Sequence, residues 1–244
     1  MSSPKIKIFV LSLKGNSLRR KKLTKTLDEM NLPYQIWLGI DGRKILPLKY
    51  ENKIDRIATK KNLFREMTDA EYACALSHNE IYHEIVKQDL FGAVIIEEDA
   101  VLDYGFKNLF TYFSKVTCDM LLLDHHNGRV SLKRKYLISP NYIGYKVYYP
   151  PYLTTGYYIN FKAAKKMIEK SGKISNVADW PCDITSLNCA AIMPRVMHQS
   201  KKFNNSSGIR DKRNKMKPIH NYKRFIRFDY WRKKYLKMKY TKLS

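Results

Sequence analysis

The chain has 244 residues, 44% of them hydrophobic and 28% charged, with a formal net charge of +24. That hydrophobic content excludes a disordered chain, and the lack of any apolar run of about 18 residues excludes a membrane-spanning helix. The length suits one large domain, or one domain with an appendage.

The N-terminal segment, MSSPKIKIFVLSLKGN, has too short an apolar run and no small-residue cleavage site to read as a signal peptide. "KIKIFVLSL" (5–13) is rich in β-branched residues and reads as a strand. Residues 17–32 follow as a helix, with Ser17 as its expected N-cap and Leu18, Leu23, Leu27 and Met30 near helical spacing. "PYQIWLGI" (33–40) is a second strand, closed by the turn pair Asp41–Gly42. Strand, helix, strand is the unit that builds parallel sheets.

Residues 68–88 give the clearest helix. Thr68 with Glu71 three residues on forms a capping box, and Ala70, Ala73, Leu76, Ile81 and Ile85 form the apolar stripe. An apolar strand from Ala93 to Ile96 follows, then the acids Glu97, Glu98 and Asp99. "DMLLLDHH" (119–126) is another strand, 145–160 reads as extended segments around Pro150–Pro151, and 161–172 as a short helix ended by Gly172. "DWPCDITSLNCAA" (179–191) reads as a cap, a proline in the first turn and a further helix. The alternation predicts an α/β fold.

Cys74, Cys118, Cys182 and Cys189 lack C-x-x-C spacing and are expected as buried thiols of a cytosolic protein. Residues 201–244 hold sixteen Lys/Arg against two Asp, so the expected partition is a body over 1–200 and a basic tail over 201–244.

Ligands of open α/β sheets bind beyond the carboxyl ends of the strands, where Glu97–Glu98–Asp99 should lie. On an extended segment Glu97 and Asp99 share one side and Glu98 takes the other. Two close carboxylates repel unless a hard divalent cation such as Mg²⁺ or Mn²⁺ joins them. A solvated acidic loop pairing with the abundant lysines is the competing reading. Asp179 and Asp183 are open in the same way, as helix-start residues or as a general base at the crevice. His78 reads as a structural hydrogen-bonder, and Asp124, His125 and His126, as neighbours pointing apart, do not suit one shared ion.

Four ordered blocks carry a resemblance: "IFVLSLKGNSLRRKKLTKTLDEMNLPYQIWLGIDGR" (8–43), "MTDAEYACALSHNEIYHEIVKQDLFGAVIIEEDAVL" (67–102), "TTGYYINFKAAKKMI" (154–168) and "DWPCD" (179–183). They resemble glycosyltransferase family twenty-five, the bacterial lipopolysaccharide and lipooligosaccharide galactosyltransferases related to collagen galactosyltransferases. The resemblance implies a GT-A-like, Rossmann-type domain with a mostly parallel sheet, inverting chemistry, a UDP-galactose donor and Mn²⁺ (or Mg²⁺). It implies Glu97 and Asp99 as metal ligands. Leu11, Ser12, Leu13, Arg19, Arg20, Asp41, Gly42, Ser77, His78, Glu98, Thr155 and Gly156 are then expected around the donor. Asp183 is the expected base, with Asp179 as second choice or as a ligand of the donor sugar. The family more often has Asp where this chain has Glu98, and residues 103–150 match poorly.

In the tail, Phe225, Phe228, Trp231, Tyr235 and Met238 recur at helical spacing, with Lys233 and Lys234 among the basic residues that fill much of the rest. This is the pattern of an interfacial helix on an anionic membrane, where each basic residue is worth roughly 1 kcal/mol. The expected setting is therefore cytoplasmic, peripheral on the inner face of the bacterial inner membrane, acting on a lipid-linked oligosaccharide. The rival readings are a basic nucleic-acid-binding protein, which the acidic crevice opposes, and an inactive sugar-binding homologue.

Overall fold

A computed structural model describes residues 5–200 and 228–243. β1 (Ile6–Ser12), α1 (Ser17–Glu29) and β2 (Gln35–Leu38) form the expected opening unit, with β2 parallel to β1 from Phe9↔Gln35 to Ser12↔Leu38. Both faces of β1 are covered, which is why Ile8 to Leu11 are all apolar. Asn16, not Ser17, takes the N-cap position of α1, and its side chain caps nothing there. Its amide is drawn to Glu98 instead.

A short helix, α2 (Arg56–Leu63), is capped by Asp55, which accepts from the Ala58 amide at 2.8 Å. α3 (Asp69–Lys87) starts at the predicted capping box, with Glu71 N donating to Thr68 Oγ1 at 3.1 Å and Thr68 N to Glu71 Oε2 at 2.9 Å. β3 (Gly92–Glu97) then crosses the centre of the molecule, parallel to β1. Val94, Ile95 and Ile96 are fully buried, each contributing about 1.5–3 kcal/mol of transfer free energy.

β4 (Ala100–Leu102), α4 (Gly105–Phe110) and β5 (Met120–Leu122) lead to a long hairpin, β6 (Arg129–Ser139) and β7 (Tyr142–Tyr149). β8 (Gly156–Asn160) and α5 (Phe161–Ser171) follow the Pro150–Pro151 turn, and α5 ends at Gly172 with φ +48°. The helix expected over 179–191 is absent. A single 3-10 turn, Ile184–Ser186, is followed by β9 (Cys189–Met193) and β10 (Met197–Gln199). Cys189 to Ile192 are buried with no helical stripe, so the run belongs inside the sheet rather than on a half-wet helix.

Among the described residues the main sheet runs β11-β6-β7-β9-β5-β8-β3-β1-β2, with β11 (Thr241–Lys242) at one edge, while β10 pairs β4 separately. The sheet is mixed rather than mostly parallel: β8 runs antiparallel to both β3 and β5, and β7 antiparallel to β9. One face packs Phe9, Ile95, Tyr157 and Ile159 against Ile81, Ile85 and Met167 of α3 and α5. The other packs Ile8, Val10, Val94 and Ile96 against Leu23 and Leu27 of α1 and Phe106 of α4.

α6 (Phe228–Lys239) and β11 (Thr241–Lys242) close the described chain. The end of the expected tail is part of the body, since β11 pairs with Arg129–Val130 of β6 and Leu243 is buried in the core. Tyr240 stacks on Tyr148 at 4.1 Å, and the Lys237 ammonium lies 4.9 Å from the Tyr149 ring. Phe228, Trp231, Tyr235 and Met238 remain 80%, 54%, 55% and 79% exposed. Phe225 lies outside the described residues.

Candidate active site

β1, β2, β3 and β5 end at one edge of the sheet, and β8 begins there. Glu97 closes β3, and its amide donates to the Thr155 carbonyl at 2.9 Å, in line with the β3–β8 ladder. Its neighbour Ile95 faces the α3 side of the sheet, and so does Glu97. Glu97 Oε1 accepts from Thr154 Oγ1 at 2.5 Å and lies 3.1 Å from His78 Nε2.

His78 is 1% exposed, and its Nδ1 lies 2.8 Å from the Tyr157 hydroxyl, itself 2.7 Å from that of Tyr82. One proton arrangement satisfies the whole chain. Tyr82 donates to Tyr157, Tyr157 to His78 Nδ1, and His78 Nε2–H to Glu97. Burial pushes the Glu97 carboxyl up, but His78 and Thr154 outweigh it and hold the pKa below the ordinary range.

Asp99 lies beyond the end of β3, in the turn to β4. Its Oδ2 accepts from Gln199 Nε2 at 2.9 Å, while its Oδ1 is buried and finds no donor among the described residues. Burial and then the charge of Glu97 push this carboxyl up to about 7, against smaller opposing effects of Gln199 and Arg19. Thr155 Oγ1, next to Glu97 across the β3–β8 ladder, is likewise buried with no partner among the described residues. Asp124 Oδ2, just after β5 at the same edge, is a third such oxygen among the described residues, and buried oxygens of this kind call for a polar partner.

Glu98 turns to the other side. Its carboxylate accepts from Ser12 Oγ at 2.5 Å, from Leu13 N at 3.2 Å and from Asn16 Nδ2, and its own amide donates to Leu11 O at 3.0 Å. It thereby fixes the loop that leaves β1. Arg20 donates to Ser12 Oγ at 3.2 Å, and Arg43 reaches Asn16 Oδ1 at 3.3 Å and Lys14 O at 3.2 Å. Arg43 also clamps both oxygens of Asp41, holding that carboxyl below its usual range. Asn16, Arg43 and Thr154 were not among the expected site residues.

Residues 5–185 match the family described as Glycosyltransferase family 25 (LPS biosynthesis protein). The chain belongs to that family. It is 27% identical over 169 residues to mouse procollagen galactosyltransferase 2, covering 66% of this chain and 27% of that protein. The human form is 26% identical over the same length. The chain thus spans about a quarter of the length of these relatives. A Drosophila β-1,4-galactosyltransferase 7, solved with manganese, UDP-Gal and xylobiose, overlaps 83% of the chain and 74% of its own at a TM-score of 0.44 and 8% identity.

Other expected residues of this family 25 chain hold the scaffold. Ser77 Oγ donates to Ala73 O at 2.7 Å and accepts from Ile40 N at 2.8 Å, which anchors the exit of β2 to α3. A Cβ on Gly42 would fall 2.3 Å from Asp69 O, so glycine lets this turn press onto α3. A Cβ on Gly156 would lie 2.0 Å from Met197 Sδ; the space it leaves holds that side chain.

The two candidate bases differ. Asp183 caps the 3-10 turn, accepting from Thr185 N at 2.9 Å and Thr185 Oγ1 at 2.6 Å, with Arg232 at 3.5 Å. Burial alone would raise its pKa, but these partners bring it below the ordinary value. Asp179 precedes Trp180, whose indole donates to Pro151 O at 2.8 Å and meets the Tyr157 ring edge-on at 5.6 Å. That contact brings the 179 turn to the Tyr157–His78–Glu97 side. Burial pushes the Cys74 thiol well up, and the charges of Glu97, Asp179 and Asp99 add to the rise. Asp179 is therefore electrostatically part of the acidic site. His125 is buried, with Nε2 on Ile192 O at 3.0 Å, while the next residue, His126, is exposed, so the pair diverges as expected.

Proposed function

We propose that this protein is an inverting galactosyltransferase that moves galactose from UDP-galactose to a terminal sugar of a lipid-linked oligosaccharide. The observation that carries the reading is the end of β3. Asp99 Oδ1 is buried with no donor among the described residues, close to the ionised Glu97, inside a chain that belongs to a glycosyltransferase family. Likeness to procollagen galactosyltransferases supports galactose as the sugar.

Glu97 and Asp99 offer the hard oxygen ligands that Mn²⁺ or Mg²⁺ requires; burial and then the charge of Glu97 raise the Asp99 pKa, and such an ion would offset both. Bound there, the cation would act as a Lewis acid that neutralises charge on the leaving diphosphate. His78 and Thr154 hold Glu97 ionised and oriented. Glu98 holds Leu11–Ser12–Leu13 against the nucleotide, and Arg19 and Arg20 serve the diphosphate. A single displacement breaks the bond from anomeric carbon to phosphate oxygen and forms the bond to the acceptor hydroxyl oxygen. The hydroxyl proton passes to a carboxylate on the opposite face. Asp183 and Asp179 are the candidates for that role, and the contact of Trp180 with Tyr157 beside His78 and Glu97 supports Asp179.

The exposed aromatic stripe of α6, flanked by Lys233 and Lys234, supports seating on the anionic cytoplasmic face of a bacterial inner membrane. The test of the donor is direct. With Mn²⁺ present, UDP release from UDP-galactose should exceed release from UDP-glucose or UDP-N-acetyl sugars. Absence of release from all of them, together with no calorimetric binding of any, would reject the transferase reading.

A further inference from the structure

Cys74 and His78 stand one turn apart on α3, on the face turned toward β3. Cys74 Sγ, a His78 ring nitrogen and a Glu97 carboxylate oxygen all lie within 4.8 Å of one another. One sulfur, one imidazole nitrogen and one carboxylate oxygen form the donor set of a three-residue zinc site with an open fourth position. The thiolate makes this a soft site, unlike the all-oxygen pair Glu97 and Asp99.

From this geometry we infer that Cys74, His78 and Glu97 form a second, soft-metal site that takes Zn²⁺ and shares Glu97 with the proposed donor-site cation. The hydrogen bonds behind His78 are built for the change. In the metal-free protein, Nε2–H donates to Glu97 and Nδ1 accepts from Tyr157. For Nε2 to hold a metal, its proton must sit on Nδ1 and be accepted by the Tyr157 oxygen. A tyrosine hydroxyl can do either, so Tyr157 becomes the outer partner that orients a metal-bound imidazole. The exchange only moves a proton from one ring nitrogen to the other and releases none. Binding therefore releases one proton, from the Cys74 thiol, as the sulfur–metal bond forms.

Glu97 cannot fully serve both ions. Zn²⁺ in the soft site therefore antagonises the hard cation, a consequence that rests on the donor-site reading, whereas the soft site itself does not.

The test uses the full chain with Co²⁺, which reports a thiolate ligand by a sulfur-to-metal charge-transfer band, followed by displacement with Zn²⁺. Wild type should show the band at one Co²⁺ per chain and release about one proton per Zn²⁺, measured by calorimetry in buffers of different ionisation enthalpy. Cys74→Ser keeps Cys118, Cys182 and Cys189, so loss of the band in that variant assigns it. Zn²⁺ affinity should fall by at least about tenfold, the least that even an outer-partner change costs a metal site. Glu97→Gln, which keeps the thiol, should retain the band but need more Co²⁺ to develop it.

No band in wild type, or a band undiminished in folded Cys74→Ser, would overturn the proposal. So would Glu97→Gln developing the band at the wild-type Co²⁺ concentration, an arm that stands even if Cys74→Ser does not fold. Asp99→Asn separates the two readings. It should keep the cobalt band while losing Mn²⁺-dependent UDP release, and loss of the band there would count against a distinct soft site.

Discussion

Glu98 reaches Ser12, Leu13 and Asn16 across the gap between β3 and the loop that leaves β1. Asp, one methylene shorter, could not span the same gap without moving the loop. Hydrogen bonds to a charged group are worth about 1.5–3 kcal/mol each, so Glu98→Ala should weaken donor binding by at least about tenfold. Donor KM measured against kcat checks this, with the larger change expected in KM.

Tyr157→Phe removes the hydroxyl between His78 and Tyr82 and should cost about 1–3 kcal/mol, read from denaturant midpoints. Asp99 carries a pH signature. Its folded pKa is about 7, above the unfolded value of 3.8, so between these the folded state binds more protons. Stability of the metal-free protein should therefore fall as pH rises from about 4 to 7, through this group. Glu97, with a lowered pKa, gives up its own contribution only at the acid end. Melting temperature against pH checks this, and Asp99→Asn should flatten the slope.

At this scale, the two-sided geometry of Glu97 and Glu98 was legible from alternation along an extended segment. Asn16, Arg43 and Thr154 were not, because each acts through a partner from a distant part of the sequence. Asn16 also occupies a helix N-cap position, where its amide would ordinarily bond locally.

Among elements, those whose signal is local were legible: the capping box of α3, the apolar run of β3 and the glycine that ends α5. The helix expected over 179–191 failed because Asp-Trp-Pro imitates a helix start, while the buried run from Cys189 to Ile192 suits a strand equally well. The β6–β7 hairpin gave little signal. Lys133, Arg134 and Lys135 are exposed on β6, and register shifts interrupt its pairing, which blurs the two-residue alternation.

α6 is partly docked and partly open. It docks through Lys237 and the adjoining Tyr240, and it exposes its aromatic face. Deleting residues 222–244 would remove β11 and Leu243 from the sheet and core, confounding a binding test. Replacing Phe228, Trp231 and Tyr235 together with Ser leaves that docking in place. The variant should keep the wild-type fold by circular dichroism and lose co-sedimentation with phosphatidylserine vesicles. Undiminished co-sedimentation would contradict the membrane role.

For the whole molecule, the α/β class and the placement of the acids at the carboxyl edge followed from strand–helix alternation. The reversal of β8 did not. A strand of five residues gives no sign of its direction, which is set by the neighbours it enters between. That reversal has a functional result, because it brings Thr154 and Thr155 to the edge where β3 ends.

In the proposed reaction, Glu97 and Asp99 hold a cation that binds the nucleotide. Calorimetric titration with UDP, in Mn²⁺ or in EDTA, on wild type and Asp99→Asn tests it most directly. Wild type should bind UDP in Mn²⁺, and binding should weaken by at least about tenfold in EDTA and in the variant. Equal UDP affinity in all these conditions would contradict it and return the acidic turn to a structural role.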